Sequence, residues 1–245
     1  MYQTLKRIFK IFVPNTLLFK IEPGMRKLLY LFYKGDHYHC NVCGGQLRKF
    51  IMLQNGDRLC PQCGSMSRSR RLWQILNEGL LDGEPEILDF SPSRSLYRAF
   101  KATTGIRYFS TDISGDFLSD YHYDITKIEA TANRFDLIIC YHVLEHVEND
   151  LAAMKELYRV LRPGGHCLVQ TPFKEGAIYE DPLIRSKEER LLHFEQEDHV
   201  RIYSIEGLKE RLEQCGFNVQ AKQYQDQPGN VTGFNLQEVV LFCKK

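Results

Sequence analysis

The sequence has no long apolar run and little net charge. Its 245 residues carry a formal charge of +1, with 43% apolar and 26% charged residues, which excludes collagen, coiled coils and wholly disordered chains. The most apolar stretch near the N-terminus, residues 8–21, is interrupted by Lys10, Pro14 and Lys20 and is too short to span a bilayer. No small-residue cleavage site follows it, so we predict no secretory signal. We therefore expect a globular, cytoplasmic protein.

The small net charge hides an uneven distribution along the chain. Residues 1–75 carry 13 lysines and arginines against three acidic residues, a charge of +10, while residues 76–245 carry −9. Within residues 1–35 the basic side chains interleave with apolar ones, a pattern typical of an amphipathic segment. Such a segment either lies on the inner face of a membrane as a peripheral contact or packs on the protein's own body. The basic first third also suits RNA as a partner.

Two C-x-x-C pairs occur among the eight cysteines. Cys40 and Cys43 form the first pair, Cys60 and Cys63 form the second, and sixteen residues separate the pairs. This spacing lies in the range of structural zinc sites, and four thiolates fill the tetrahedral shell of the metal. We therefore predict a structural Zn²⁺ bound by these four residues in a small zinc ribbon. The other cysteines lie singly in apolar runs, as reduced core cysteines do.

Three arginines stand in the first turns of a helix predicted after the second cysteine pair. Arg68, Arg70 and Arg71 lie where the helix dipole favours negative charge. Their placement indicates either an anionic ligand or ion pairs with the acidic remainder of the chain. The run at residues 82–85, Asp-Gly-Glu-Pro, then ends the helical pattern.

From residue 86 onward, strand and helix patterns alternate. Apolar strands that alternate with amphipathic helices predict a doubly wound α/β sheet, covered on both faces. We divide the chain into a basic amphipathic segment at residues 1–35, a zinc ribbon with a linking helix at residues 36–80, and an α/β domain at residues 81–245.

Acidic residues close the first three predicted strands of the α/β domain. Asp89, Asp112 and Asp124 each follow one strand. Ligands of open α/β sheets bind beyond the carboxyl ends of the strands, so these side chains are expected at one site. An acid after the second strand accepts from both hydroxyls of a ribose, and an acid after the third accepts from an adenine amino group. The pattern predicts a nucleoside ligand.

These motifs resemble those of the class I S-adenosylmethionine-dependent methyltransferases. The resemblance rests on the three acidic residues, on the run at residues 135–147 and on the Leu-Arg-Pro-Gly-Gly turn at residues 161–165, and it covers about residues 85–245. It implies a Rossmann-like sheet of seven strands with an antiparallel last strand, and S-adenosylmethionine as the cofactor. Together with the zinc ribbon and residues 197–203, the pattern is similar to methyltransferases found among bacterial surface-polysaccharide enzymes.

The resemblance also implies which residues bind the cofactor. They are Asp89, Phe90, Ser91, Pro92, Asp112, Asp124, Ile125, Tyr141 and His142. The family's first loop reads D-x-G-x-G-x-G, whereas residues 89–95 contain no glycine. We expect Ser91 to cap the next helix and Pro92 to occupy its first position, so that the helix amides face the carboxylate of the cofactor.

Candidate general bases follow the ligand end of the fourth strand, and His199 in the loop at residues 174–203 is a further candidate. The predicted catalytic residues are His142, Glu145, His146 and His199. The first three share one face if their segment is helical, and histidine suits proton transfer near neutral pH. Related quinone O-methyltransferases carry an E-x-x-E-H arrangement that can hold a divalent cation, which is an alternative role. In the loop at residues 174–203, Arg185 or Arg201 is the candidate partner of an anionic acceptor.

We predict a methyltransferase that acts on an oxygen or nitrogen of a small-molecule or glycan acceptor. One alternative is an RNA methyltransferase that uses the basic zinc ribbon to bind RNA. The other is a non-catalytic interaction module with a degenerate cofactor pocket. The acceptor and the oligomeric state stay open at the level of the sequence.

Overall fold

The structure is a computed structural model that describes residues 15–225 and 229–245. The first 14 residues of the predicted amphipathic segment therefore lie outside the described residues. Helix α1 (Asn15–Leu31) covers most of the remainder of that segment. In the described part of the chain, no helix is long and apolar enough to cross a membrane.

The region after α1 contains two small antiparallel sheets. Strand β1 (Lys34–His39) pairs with β2 (Gln46–Leu47), and β3 (Ile51–Met52) pairs with β4 (Arg58–Leu59). Each C-x-x-C pair lies in a turn that directly follows β1 or β4. We refer to residues 34–66 as the cysteine module.

A six-stranded sheet forms the centre of the rest of the chain. Its strands are β5 (Glu86–Phe90), β6 (Arg107–Thr111), β7 (Phe135–Tyr141), β8 (Leu161–Gln170), β11 (Asn218–Gln225) and β12 (Gln237–Lys244). They lie in the order β11-β12-β8-β7-β5-β6. Strands β5 to β8 are parallel, and β12 is antiparallel to both its neighbours. The predicted Rossmann-like α/β sheet with an antiparallel last strand is confirmed. A separate pair consists of β9 (Tyr179–Glu180) and β10 (Arg201–Ile202).

Among residues 15–225 and 229–245 the sheet has six strands, whereas the resemblance implies seven. The segment expected as the third strand contributes one parallel bridge, between Thr111 and Tyr121. Further along, Asp124 accepts hydrogen bonds from the backbone nitrogen and the hydroxyl of Thr126, at 2.8 and 2.7 Å. These local bonds stabilise a turn in place of an extended strand.

Helices cover both faces of the sheet. Helices α2 (Ser67–Ile75) and α3 (Arg94–Ala102) pack on one face, where Leu72 and Phe100 join a buried apolar cluster. Helices α4 (Asp150–Val160) and α6 (Ile205–Gln214) pack on the other face, and α5 (Lys187–Phe194) lies in the long loop after β8. Alternate residues of each central strand point to opposite faces, so both clusters include residues of β5 and β7.

A buried arginine of α2 joins the cysteine module to the segment before β12. Arg70 is fully buried and donates hydrogen bonds to the backbone oxygens of Thr232 (2.7 Å) and Gly233 (2.6 Å). Its neighbour Arg71 stacks over the ring of Phe234, 3.8 Å from the centroid. These two arginines therefore bind the protein's own segments and do not support the anionic ligand, which was one of the two alternatives for the cluster.

Candidate functional site

The loop after β5 makes a left-handed turn without a glycine. Ser91 has φ +49°, within the region that favours glycine. Helix α3 begins later than predicted, because Ser93 is its N-cap and accepts a hydrogen bond from the backbone nitrogen of Leu96. The prediction that Ser91 caps the helix and that Pro92 opens it is therefore wrong. The extra turn allows Ser91 to point toward the next strand end.

Asp112, which follows β6, accepts hydrogen bonds from the hydroxyl groups of two serines. The hydroxyl of Ser91 donates to its Oδ1 at 2.8 Å, and the hydroxyl of Ser114 donates to its Oδ2 at 2.9 Å. Two adjacent hydroxyls of a ribose offer the same donor pattern to a carboxylate. The residues at this strand end therefore fit the ribose of S-adenosylmethionine, which would replace the serine hydroxyls as donor.

Asp89 is buried one residue before the end of β5. It accepts a hydrogen bond from the hydroxyl of Tyr108 on β6 at 2.9 Å. Burial raises the pKa of Asp89 to about 8, although the Tyr108 hydrogen bond opposes this shift. The carboxyl group is therefore mostly protonated at neutral pH and contributes little negative charge to the site.

The other predicted cofactor residues divide between the core and the surface. Phe90 and Ile125 are buried in the apolar cluster below α4, and Asp124 is exposed. Pro92 is buried next to the left-handed turn. The phenol oxygen of Tyr141 at the end of β7 is buried without a hydrogen-bond partner among the described residues.

The turn after β7 brings His142 and Glu145 together. The segment is not an α-helix, because His142 has φ +55° and Leu144–His146 form one short 3-10 turn. Nδ1 of His142 nevertheless lies 3.2 Å from Oε1 of Glu145. The assumption that His142, Glu145 and His146 share one face of an α-helix is therefore wrong, although His142 and Glu145 are in contact.

Burial and the mutual contact set the charges of this pair. Burial lowers the pKa of His142, and the contact with Glu145 opposes that shift only in part. Burial by itself would raise the pKa of Glu145, but the close contact with His142 outweighs it and lowers that pKa. A neutral imidazole beside a carboxylate is the protonation state that a general base requires.

His146 and His199 also lie close to Glu145. Their ring centroids are 4.7 Å apart, and Nδ1 of His146 lies 3.3 Å from Oδ2 of Asp198. Burial lowers the pKa of His199. One donor atom each from Glu145, His146 and His199 falls within 4.8 Å of the others. Neutral imidazoles with a carboxylate suit a divalent transition metal, so these residues are the candidate set for the alternative metal role.

Arg201 supports this turn from within the protein. Its guanidinium donates to the backbone oxygens of Leu144 (3.2 Å), Glu148 (2.9 Å) and Val147, and Nε donates to Glu180 at 2.8 Å. The side chain is buried and its donors are engaged. The prediction that Arg201 holds an anionic acceptor is therefore wrong, and Arg185 lies exposed in the loop.

A cavity of about 960 Å³ opens beside His142. Its wall includes the ends of β8 and β12 (Gln170, Thr171, Gln237 and Glu238), the β3–β4 turn (Asn55, Gly56 and Asp57) and Arg68. Among the predicted cofactor and catalytic residues, His142 alone lies in this wall. The sequence analysis missed Glu238, for which the one available signal was an acidic residue at the start of an apolar strand.

Four buried oxygen atoms in the cavity wall have no hydrogen-bond partner among the described residues. They are Oε1 and Oε2 of Glu238, Oε1 of Gln170 and Oγ1 of Thr171. Buried polar atoms are nearly always hydrogen-bonded in proteins, so these oxygens indicate a polar ligand. Carboxylate and amide oxygens only accept, which requires donors on the ligand, such as hydroxyl or amino groups.

Arg68 is the arginine of α2 that reaches the cavity. Burial lowers its pKa, while the charges of Asp57, Glu145 and Glu238 oppose that shift. No hydrogen bond within the described residues engages its guanidinium. The cavity therefore combines a carboxylate that needs donors with a cation that can donate.

The four cysteines of the module converge at one point. Sγ of Cys40 lies 3.7 Å from Sγ of Cys63, and Sγ of Cys43 lies 3.8 Å from Sγ of Cys60. Four sulfurs at 2.3 Å from a zinc ion occupy tetrahedral corners about 3.8 Å apart. The residues present therefore fit a structural zinc ion.

A family model described as a methyltransferase domain matches residues 66–222. The chain belongs to the methyltransferase family. The family is one of enzymes that transfer methyl groups, and S-adenosylmethionine, the cofactor expected from the sequence, agrees with that assignment.

One curated relative is a ubiquinone biosynthesis O-methyltransferase of Psychrobacter arcticus. It is 27% identical to the methyltransferase over 107 residues, which are 43% of this chain and 42% of the relative. The chain thus matches less than half of that protein's length.

Two solved structures show the same fold. The [4+2]-cyclase SpnF has a TM-score of 0.54 at 15% identity, with 94% of each chain covered. A SAM-dependent methyltransferase from Archaeoglobus fulgidus has a TM-score of 0.51 at 16% identity, with 70% of this chain and 92% of that chain covered. At these identities the likeness concerns the fold alone.

Proposed function

We propose that the methyltransferase acts on an oxygen or nitrogen of a hydroxyl- or amine-bearing acceptor, a small molecule or a glycan, held in the cavity beside His142. The observation that carries the proposal is the group of unpaired buried oxygens of Glu238, Gln170 and Thr171 in the cavity wall. S-adenosylmethionine, when bound, supplies a methyl group activated by a positively charged sulfur. The protein's residues then need to position the acceptor and to accept its proton.

His142 is the general base in this proposal. It lies where the cavity meets the end of β7, and its lowered pKa keeps the imidazole neutral at pH 7. Glu145, 3.2 Å from Nδ1, orients the ring and stabilises the imidazolium that forms when His142 takes the acceptor's proton. His146 and His199 pack beside Glu145 and act as positioning residues.

Glu238 and Arg68 offer the methyl-accepting molecule a negative and a positive group. The carboxylate of Glu238 accepts hydrogen bonds from hydroxyl or amino groups, and the guanidinium of Arg68 donates to oxygens of the same molecule. A molecule with several hydroxyls satisfies both, which favours a glycan or another polyol over a flat apolar acceptor.

The cysteine module forms part of the acceptor site in this proposal. Residues 55–57 and Arg68 of the adjoining helix reach the cavity from the region predicted as residues 36–80. A structural zinc ion at Cys40, Cys43, Cys60 and Cys63 would hold this wall against the sheet of residues 81–245. The other two arginines of the cluster are engaged internally, so they add no support for RNA as the acceptor.

The cofactor lies beyond β5 and β6, with Asp112 as the acceptor of its ribose hydroxyls. Calorimetric titration of S-adenosylhomocysteine into zinc-replete protein tests this assignment. We expect micromolar binding that weakens at least about tenfold in Asp112→Ala, because a charge-assisted hydrogen-bond acceptor is lost. Asp116→Ala, an exposed acid in the same loop, is the matched control and should bind normally. Absence of binding to the folded wild-type protein would contradict the proposal.

The acceptor site is tested separately by methyl transfer from labelled S-adenosylmethionine to a panel of sugars and polyols. Glu238→Gln should lower transfer at least about tenfold while S-adenosylhomocysteine affinity stays constant. Glu213→Gln, an exposed acid outside the cavity wall, is the control. Methyl transfer that is equally fast in Glu238→Gln would show that Glu238 does not bind the acceptor.

A further inference from the structure

The inner face of helix α1 fastens it to the protein body. Glu22 accepts a hydrogen bond from Arg98 of α3 at 2.9 Å and pairs with Arg26 at 2.8 Å. Further along, the hydroxyl of Tyr30 donates to the backbone oxygen of Gln46 at 3.1 Å. These contacts fix which side of the helix faces outward.

The outer face of α1 is an exposed apolar stripe. The stripe consists of Leu17, Ile21, Met25, Leu28 and Phe32, which are all exposed. Their spacing of three or four residues aligns them along one side of the helix and its end. Leu28 is 65% exposed and Phe32 is 74% exposed, so large side chains stand in water. Such a contiguous apolar surface indicates a binding partner.

Cationic side chains border the apolar stripe. Lys20 and Lys27 are exposed, one heptad apart, on the same edge of the stripe, and Lys34 follows after the same interval. Neither lysine of the helix forms an ion pair with a described residue. Glu22 is the one acidic residue of α1, and it faces the protein. The outer surface is therefore apolar with a positive border.

We propose that the outer face of α1 binds the surface of an anionic membrane, with the helix lying parallel to the bilayer plane. The apolar stripe would enter the boundary between headgroups and acyl chains, and the lysines would contact lipid phosphates. A second copy of the chain fits this face less well, because it would bring two positive borders together. The helix rests on the membrane and does not span it.

The contact would place the sheet edge with the proposed cofactor site next to the membrane. Glu22 contacts both Arg94 and Arg98, at 3.4 and 2.9 Å, and Arg94 begins the helix that follows the loop at Ser91. The inference stands on the surface of α1 alone and is independent of the proposed acceptor.

Vesicle co-sedimentation of the full chain tests the inference. The probes are unilamellar vesicles of phosphatidylcholine with about 30% phosphatidylglycerol, and vesicles of phosphatidylcholine alone. We expect binding to the anionic vesicles that falls about fivefold or more without phosphatidylglycerol, and again between about 50 and 300 mM salt, because the lysine contribution is screened.

Two variants separate the apolar and the charged contributions. Leu28→Asp and the double variant Lys20→Glu/Lys27→Glu should each weaken binding to anionic vesicles at least about tenfold. Leu183→Asp, which changes a leucine that is 79% exposed elsewhere, is the matched control and should bind like the wild type. Unchanged thermal midpoints show that each variant is folded, since the substituted side chains lie on the surface.

Two results would overturn the inference. The first is a folded wild-type protein that stays in solution with anionic vesicles at low salt. The second is a protein that forms a dimer in light scattering, abolished by Leu28→Asp, while vesicle binding is absent. That second result would assign the face to another copy of the chain.

Discussion

The guanidinium of Arg201 donates a hydrogen bond to the backbone oxygen of Leu144, 57 residues earlier in the chain, at 3.2 Å. The same side chain bonds the carbonyl oxygens of Val147 and Glu148. One buried cation thus holds the turn that presents His142 to the cavity. The planar fork of arginine suits this role, because it offers several donors in fixed directions.

Replacement of Arg201 by methionine should destabilise the protein. The substitution removes one donor from each of three backbone oxygens and leaves Glu180 without its buried cation, so we expect the free energy of unfolding to fall by about 3 kcal/mol. Urea denaturation followed by circular dichroism measures the change. Arg185→Met, at an exposed position, should change it by less than about 0.5 kcal/mol. A loss below about 1 kcal/mol in Arg201→Met would show that the turn is held by other contacts.

Zinc content tests the role of the four cysteines. Protein purified without chelator should contain about one equivalent of zinc, and Cys43→Ser should lose most of it and melt at a lower temperature. Cys215→Ser, at a half-buried cysteine far from the module, should keep its zinc. Less than about half an equivalent in the wild-type protein, by elemental analysis, would refute the zinc prediction.

The titration of His142 tests its contact with Glu145. NMR of labelled histidine should give the wild-type imidazole a pKa below 6.5, because burial disfavours the charged ring. In Glu145→Gln the pKa should fall further, since the carboxylate that stabilises the imidazolium is gone. The exposed variant Glu213→Gln is the control and should leave the curve unchanged. An unaltered His142 titration in Glu145→Gln would show that Glu145 does not influence the protonation of His142.

Ionisation of the buried Glu238 carboxyl group should lower the free energy of unfolding as the pH rises. Burial raises its pKa from 4.5 to about 7, so the folded protein retains a proton that the unfolded chain releases. Stability is therefore lost between about pH 4.5 and pH 7 and stays low above that range. Glu238→Gln removes this penalty and should stabilise the protein by about 2 kcal/mol at pH 6 and about 3 kcal/mol at pH 8.5.

Urea denaturation at the two pH values checks the prediction for Glu238. The exposed variant Glu206→Gln should show no such dependence on pH. A gain for Glu238→Gln that stays constant or declines between pH 6 and pH 8.5 would contradict the buried environment of this carboxyl group.

Short-range spacing accounts for the features that the sequence predicts well. The two C-x-x-C pairs meet at one point, and the strand and helix patterns that alternate after residue 86 form the sheet and the helices that cover it. The region that was expected to form a third strand does not form one, because hydrogen bonds around Asp124 favour a turn. Local side-chain hydrogen bonds of this kind compete with strand pairing, and the spacing of apolar residues in the sequence does not predict them.

By itself the sequence determined the class of fold, the convergence of the cysteines and the acidic residues Asp89 and Asp112 at the ends of two strands, because each depends on periodicity or on short-range spacing. Only the tertiary structure decided the surroundings of single charges. Arg70 bonds Gly233, 163 residues away, Arg201 supports the turn at Leu144, and Glu238 becomes a buried carboxylate in a cavity wall. Burial and distant partners are set by how helices and strands pack, and a linear pattern does not contain that information.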